Sequence, residues 1–262
     1  MPRVVASLGY AGPHHGCEGR QIAKSLETAL RMFKRDITKA KHAPTLDKVK
    51  IAHLQQSIGD VCLEYGEAQL ALERGYLPAL KTTLSFLTAG DAFRVIRHGK
   101  RIWSRGVKTC FGAASAYLAL DEAGTACRVG ATAVETFAHP RMVERALAEL
   151  TRSEHQVYLS AAAEAHTHYA TLLHDVATSL QDASPHHLRK ALYHAREAAR
   201  LETSLQEQSR EESSPFRYET AMALWNPLTD LGDYLEALEA LDALVALAPH
   251  GPSITSKKSH LH

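Results

Sequence analysis

Hydrophobic side chains recur along most of this chain at the three- and four-residue spacing of amphipathic helices. The clearest early example lies between residue 18 and about residue 36, where Ile22, Leu26, Leu30 and Phe33 form an apolar stripe. β-branched runs of strand length are scarce, and alanine and leucine dominate many segments. The pattern therefore predicts an all-α protein.

From residue 45 to residue 249, the helical segments are predicted to pair into about five hairpins. Turn residues occur at Gly66, Gly90-Asp91, Asp121-Glu122 and Ser184-Pro185. The predicted helices are 48–65 with 67–74, 76–89 with 91–105, 107–120 with 122–137, a long stretch 141–181 followed by 186–208, and 216–230 with 233–248. Outside this domain we expect a flexible N-terminus at 1–17, an N-terminal amphipathic helix and linker at 18–44, and a disordered tail at 250–262.

One fourteen-residue segment, IGDVCLEYGEAQLA at Ile58–Ala71, shows how two of these helices are expected to pack. It carries a small residue at Gly59, a bulky one at Cys62, a turn residue at Gly66 and a second small residue at Ala71. Small residues at a helix crossing let two backbones approach closely, while larger residues fill the gaps. Gly59, Gly66 and Ala71 are therefore predicted to serve packing and turning rather than chemistry.

The same order of residues recurs downstream, at Ala114, Tyr117, Asp121, Ala126 and Ala133, and in part at Gly232, Tyr234, Ala237 and Pro249. It resembles the tetratricopeptide repeat family, whose unit is about 34 residues of paired antiparallel helices. The resemblance covers roughly residues 48–249 and implies a superhelix, a solenoid of hairpins that bury their apolar faces by stacking.

The resemblance also implies a concave wall made by the first helix of each hairpin, suited to an extended peptide or an amphipathic helix. On this chain the wall would be apolar in its middle and acidic at one end. Its residues are Gln56, Asp60, Leu63, Glu64, Leu80, Leu84, Leu87, Lys108, Phe111, Ser115 and Leu118. Alternatively, the leucines pack against the N-terminal helix or a neighbouring hairpin. The N-terminal helix is expected either to cap the array or to lie in the groove.

Charge is divided unevenly, although the whole chain has a net charge of only +1. Residues 1–110 carry 18 Lys and Arg against 9 Asp and Glu, whereas residues 111–262 carry 12 against 20. A basic patch is predicted on one helix face, since cations recur at three- and four-residue spacing at Arg94, Arg97, Arg101, Arg105 and Lys108, with Lys100 beside them. It could contact phosphate or an acidic partner, or simply be a solvated face. Nucleic acid is not expected as a partner, because no known binding motif accompanies the patch.

Composition further narrows the class of protein. The four cysteines are scattered without a CxxC pair, which favours a reducing compartment, and no stretch approaches the roughly 20 apolar residues of a membrane span. We therefore expect a cytoplasmic protein with no membrane contact. Cys62, Cys110 and Cys127 lie in helical patterns and are predicted to be buried thiols.

Catalytic and metal-binding signals are sparse. Glu164 and His168 have the four-residue spacing of a helical metal pair, but His166 should face elsewhere and no second cluster completes a site. No nucleophile elbow, Walker loop, dinucleotide fingerprint or zinc-protease motif occurs. We therefore predict a non-enzymatic adaptor, without metal or cofactor, that binds another protein. The alternatives are a structural subunit of a larger stable assembly, or a regulatory protein that uses the basic patch.

Overall fold

The computed structural model describes residues 15–43, 48–88, 100–179, 185–208, 216–233 and 237. All regular structure in these ranges is helical, which confirms the all-α prediction. The elements are α1 (His15–Lys41), α2 (Lys48–Glu64), α3 (Ala68–Ala71), a π-helical turn (Leu72–Tyr76), α4 (Leu77–Thr88), α5 (Lys100–Ala119), α6 (Ala123–Phe137), α7 (Pro140–Glu149), α8 (Arg152–Ser179), α9 (Pro185–Gln208) and α10 (Phe216–Leu231). The chain divides into two compact units, Met1–Thr82 and Thr83–His262.

Some predicted features lie outside the described residues. These are most of the N-terminus at 1–17, the turn at Gly90-Asp91 with the beginning of the helix predicted at 91–105, nearly all of the helix predicted at 233–248, and the tail at 250–262.

In the first unit, α2 packs against α1 and also against α3 and the π turn. The contact with the π turn is close because two glycines meet there. A Cβ atom on Gly75 would stand 2.3 Å from the backbone nitrogen of Gly59, and a Cβ atom on Gly59 would stand 2.7 Å from the ring of Tyr76. The prediction that Gly59 serves close helix packing is confirmed.

The predicted break between a helix at 67–74 and another at 76–89 is wrong. The π turn joins α3 to α4 without interruption, and Ala71, Leu72 and Leu77 at its borders all have right-handed helical backbone angles. Gly75 looked like a helix end, but it provides room for Gly59 instead of a reversal of the chain. The helices assigned to two successive hairpins therefore form one uninterrupted helical segment.

In the second unit, α8 is the central helix. It packs against α9 most extensively, and also against α5, α6, α7 and α10, while α5 pairs with α6 and α9 with α10. Fully buried alanines at Ala191, Ala195 and Ala198 line the inner side of α9. Because alanine side chains are short, they allow α8 and α9 to approach each other closely.

Three helix ends share one backbone turn, in which a residue one or two positions after the last helical residue has a positive φ angle. The angles are 79° at Gly66, 60° at Asp121 and 82° at Gly232. The next residue then donates its N–H back to a carbonyl five residues earlier: Glu67 to Cys62, Glu122 to Tyr117 and Asp233 to Leu228. The predicted turns at Gly66 and Asp121 are confirmed, and Asp121 adopts the conformation that glycine adopts at the other two sites.

A break between α7 and α8 was missed, because the sequence predicted one stretch from 141 to 181. The carboxylate of Glu154 accepts hydrogen bonds from the backbone N–H of Thr151, at 2.8 Å, and from its hydroxyl, at 2.7 Å. This is one half of a capping box, which starts a new helix at Arg152. The signal was present in the sequence as Thr151-Arg-Ser-Glu154.

The structure also bears on the predictions about the cysteines and about membrane-spanning helices. Cys62 and Cys110 are buried free thiols as expected, whereas Cys127 is a free thiol that is only half-buried. Among the helices that the structure describes, none has the length and apolar character needed to cross a membrane.

Candidate functional site

The predicted groove residues of the first unit lie along α2 and the start of α4. Asp60 and Glu64 are exposed, whereas Gln56, Leu63 and Leu80 are half-buried. Asp60 is not a free acid, since its Oδ1 atom accepts a hydrogen bond of 2.9 Å from the hydroxyl of buried Tyr76. Partial burial raises the pKa of Asp60 and outweighs this hydrogen bond, which lowers it.

The predicted groove residues of the second unit differ in how much surface they offer. Leu84 is exposed, and the side chain of Leu87 lies outside the described part of the chain. On α5, Lys108 and Ser115 are exposed and Leu118 is half-buried. Phe111 is buried, and its ring packs against that of His168 at a tilt of 37°, with 5.3 Å between centroids. Phe111 therefore fills the interface between α5 and α8 and offers little surface to a groove.

A buried carboxylate, Glu164, lies at the centre of this interface, with only 4% of its side chain exposed. Its Oε2 atom accepts a hydrogen bond of 3.1 Å from the hydroxyl of Ser104. Its Oε1 atom lies 3.5 Å from Nζ of Lys108 and 3.6 Å from Nε2 of His168. We call these four residues, two from α5 and two from α8, the Glu164 cluster.

Helix periodicity explains how the cluster is assembled. Ser104 and Lys108 are four residues apart on α5, and Glu164 and His168 are four apart on α8, so each pair shares one helix face. A buried carboxylate needs both hydrogen bonds and a nearby cation, and Ser104 and Lys108 supply them. The Lys108 and His168 side chains are 51% and 36% exposed, so they carry the cluster to the surface.

Glu164 and His168 lie close together but are not arranged as a metal-binding pair. The two side chains meet as their spacing predicted, but the position beside them is taken by a lysine, whose ammonium group repels a metal cation. No group of three or more potential metal ligands occurs among the side chains that the structure describes. His166 faces the other way, as predicted, and pairs with His194 on α9.

The predicted basic patch is only partly described. Arg94 and Arg97 lie outside the described ranges, as do the side chains of Lys100 and Arg101. Arg105 is half-buried on α5, and Lys108 forms the ion pair with Glu164. The ammonium group at the end of this patch is therefore partly neutralised.

Polar contacts also join α8 to α10. The hydroxyls of Thr167 and Thr220 lie 3.0 Å apart, and Thr220 donates a hydrogen bond of 2.7 Å to buried Glu202 of α9. Nearer the end of α8, Nε2 of His174 lies 2.8 Å from the carboxylate of Asp230. Burial lowers the pKa of His174, but Asp175 and Asp230 raise it by more, so the net shift is upward.

Sequence reasoning missed most of these partners. Ser104 and Glu164 are 60 residues apart, Thr167 and Thr220 are 53 apart, and His174 and Asp230 are 56 apart. No local spacing could relate them, since each partner belongs to a different helix.

The described thiols have the character of packing residues. Burial raises the pKa of Cys110 to about 12, and it also raises the pKa of Cys62 and of Cys127. At neutral pH these thiols are protonated and therefore weak nucleophiles.

No protein-family model matches the chain, and no curated protein is similar enough to count as a relative. The resemblance to tetratricopeptide repeats therefore stays a prediction from the residues themselves.

Proposed function

We propose that this protein is a non-enzymatic, tetratricopeptide-like scaffold that binds a partner polypeptide along the α5–α8 face of its second unit. The main support for this proposal is the Glu164 cluster, in which a buried acid positions two partly exposed basic side chains, Lys108 and His168.

The order of helix contacts supports stacked hairpins. In such an array, a first helix contacts its own second helix and the first helix of the next hairpin, and the second helix contacts that same neighbour. Here α5 contacts α6 and α8, and α6 contacts α8; likewise α8 contacts α9 and α10, and α9 contacts α10. With α7 as a short insertion, α5, α8 and α10 are the first helices, which would form the inner wall.

Charge varies along α8 on this wall. His168, Thr171 and Asp175 follow one another at three- and four-residue spacing, so they share a helix face, and Thr171 and Asp175 are exposed. The basic end lies at Lys108 and His168, and the acidic end lies at Asp175 and Asp230. Seven residues of helix separate His168 from Asp175, or about 10 Å.

A partner that fits this face would carry an acidic residue near one end of a short segment and a basic residue near the other. About three residues of extended chain cover 10 Å, as do about seven residues of helix. Complementary charges would set the direction and register of the segment more than its affinity.

Site-specific photocrosslinking in cells would test the proposal. A photoreactive amino acid at Ser115 or Thr171 should capture the same protein, whereas one at exposed Thr132 on α6 should not. The substitution Asp175→Lys should reduce that capture at least tenfold, whereas Glu135→Lys, an exposed acid on α6, should leave it unchanged. Equal capture from Thr171 and Thr132 would refute the assignment of this face.

The compartment is part of the same proposal. Cys62, Cys110 and Cys127 are free thiols, which supports work in a reducing environment such as the cytoplasm.

A further inference from the structure

Two histidines meet inside the seam between α8 and α9. His166 and His194 are 7% and 8% exposed, their rings are stacked with centroids 5.2 Å apart, and their Nδ1 atoms are separated by 2.9 Å. The distance is that of a hydrogen bond between two imidazoles, and α8 with α9 is the most extensive helix pair of the second unit.

A hydrogen bond between two Nδ1 atoms requires that one atom carry a proton and the other accept it. The His166 ring is also hydrogen-bonded to the backbone of Ala138, at the end of α6. Because Nδ1 of His166 faces His194, its Nε2–H is the group available to the Ala138 carbonyl. His166 then accepts at Nδ1, and His194 donates.

The surroundings of the pair come from every helix packed there. From α9, the charge of Lys190 lowers the pKa of His194. The charge of Glu197 raises the pKa of His166, and the charge of Arg200 lowers it. From α8, the ring of Tyr169 lies 4.7 Å from that of His194. The residue next to His166, Thr167, contacts Thr220 of α10, which in turn binds the acid Glu202.

We propose that this histidine pair is an acid-sensitive latch, which closes the α8–α9 seam when neutral and opens it when both rings are protonated. One added proton can be held on Nε2 of His194 without loss of the contact. A second must be placed on the accepting Nδ1 of His166, which brings two N–H groups together at 2.9 Å with no acceptor between them. The rings must then separate. Since α8 also carries Glu164 and His168, opening would disturb the α5–α8 face.

The sign of the pH dependence follows from burial. Burial lowers the pKa of His166 to about 4, and burial with the neighbouring His166 and Lys190 lowers that of His194 to about 3. In an unfolded chain both would titrate near pH 6.5. The unfolded state therefore binds more protons below about pH 6.5, so stability from the neutral pair is complete above that pH and is lost as pH falls toward 4.

Tryptophan fluorescence offers a selective readout, because the only two tryptophans, Trp103 and Trp225, both belong to the second unit. Urea titrations between pH 7.5 and 4.5 would give its unfolding constant. Because unfolding takes up one to two protons at the pair, that constant should rise by about 10- to 100-fold per pH unit between pH 6 and 4.5.

Variants would test whether the increase in the unfolding constant comes from His166 and His194. His194→Gln keeps an amide donor for His166 and removes one titrating ring. The increase in the unfolding constant per pH unit should therefore be smaller than in the wild type by a factor of up to about ten. The double variant His166→Leu/His194→Leu should remove both contributions. His186→Gln, at an exposed histidine that begins α9, should behave as the wild type. If His194→Gln retained the wild-type pH dependence, the latch would be wrong.

Hydrogen exchange would locate the opening without reference to any partner. At pH 5, after correction for intrinsic exchange rates, peptides from α8 and α9 should lose protection before peptides from α5 and α6. Earlier loss in α5 and α6 would place the acid-sensitive site elsewhere and overturn the proposal. Because neither measurement uses a binding partner, the latch can be tested whether or not the α5–α8 face binds a polypeptide.

Discussion

Gly75 illustrates how a single hydrogen atom in place of a side chain sets the geometry of the first unit. A methyl group there would meet the backbone of Gly59 at 2.3 Å, and a backbone cannot move aside as a flexible side chain can. The sequence identified Gly59 as a packing residue but took Gly75 for a helix boundary, because glycine serves both purposes and only the neighbour distinguishes them.

Replacing Gly75 with alanine should therefore destabilise the first unit by about 3 kcal/mol or more, as severe overpacking does. Hydrogen exchange in peptides from α2 would measure the loss, and exchange in peptides from α6 would measure the effect of the control variant. Gly124→Ala is a matched control, since nothing lies within 4 Å of its Cβ position near the start of α6. That control should be neutral or stabilising by up to about 1 kcal/mol. Comparable losses in both variants would argue against the close crossing.

Glu164 illustrates the opposite case, in which a polar side chain depends on partners for its burial. Replacing Lys108 with methionine should leave the buried acid without its ammonium partner, at a cost of about 1–2 kcal/mol; the exposure of Lys108 keeps this below the usual range for fully buried pairs. Combined with Glu164→Gln, the loss should be smaller than the sum of the single losses by about 0.5–1 kcal/mol.

Urea titrations followed by tryptophan fluorescence would complete this double-mutant cycle, because both tryptophans lie in the second unit. Additive losses would mean that Lys108 and Glu164 do not interact in solution.

At the scale of elements, the helix ends were easier to predict than the helix partners. Turns at Gly66 and Asp121 follow from residues that tolerate a positive φ angle, which is a local property of the chain. The break before α8 was missed, although its capping residues Thr151 and Glu154 are also local, because the apolar periodicity on either side was taken as one pattern.

The capping contact gives a prediction at this scale. Thr151→Ala should destabilise the second unit by about 1 kcal/mol, because the start of α8 loses its hydroxyl contact with Glu154. Thr132→Ala is the control: its exposed hydroxyl donates a hydrogen bond to the carbonyl of Arg128 one turn earlier on α6, and its loss should change stability by less than about 0.5 kcal/mol. Thermal unfolding followed by tryptophan fluorescence would distinguish them, and equal midpoints would exclude the cap.

At the scale of the molecule, two histidine sites on α8 give the second unit opposite pH dependences. The pKa of His174 is raised by Asp175 and Asp230, whereas burial lowers the pKa of His166. A raised pKa contributes stability that is complete below about pH 6.5 and is lost as pH rises through the folded value. Together with the acid-side loss from His166 and His194, this predicts maximal stability near neutral pH.

The alkaline side can be tested separately. Asp230→Asn removes the carboxylate nearest to His174, so the fall in urea midpoint between pH 6.5 and 8.5 should become shallower. Glu135→Gln, at an exposed acid on α6, should leave that slope as it is in the wild type. An unchanged slope in Asp230→Asn would show that the His174–Asp230 contact does not contribute to stability in this range.

The sequence by itself determined that the described chain is helical and where several helices turn, because 3.6-residue periodicity and a positive φ angle depend on neighbours a few positions away. Tertiary structure alone decided that α3 continues into α4, that Phe111 is buried, and that Glu164 meets Ser104 and Lys108. These outcomes depend on which helix faces come together, and residues about 60 positions apart leave no local trace of that choice.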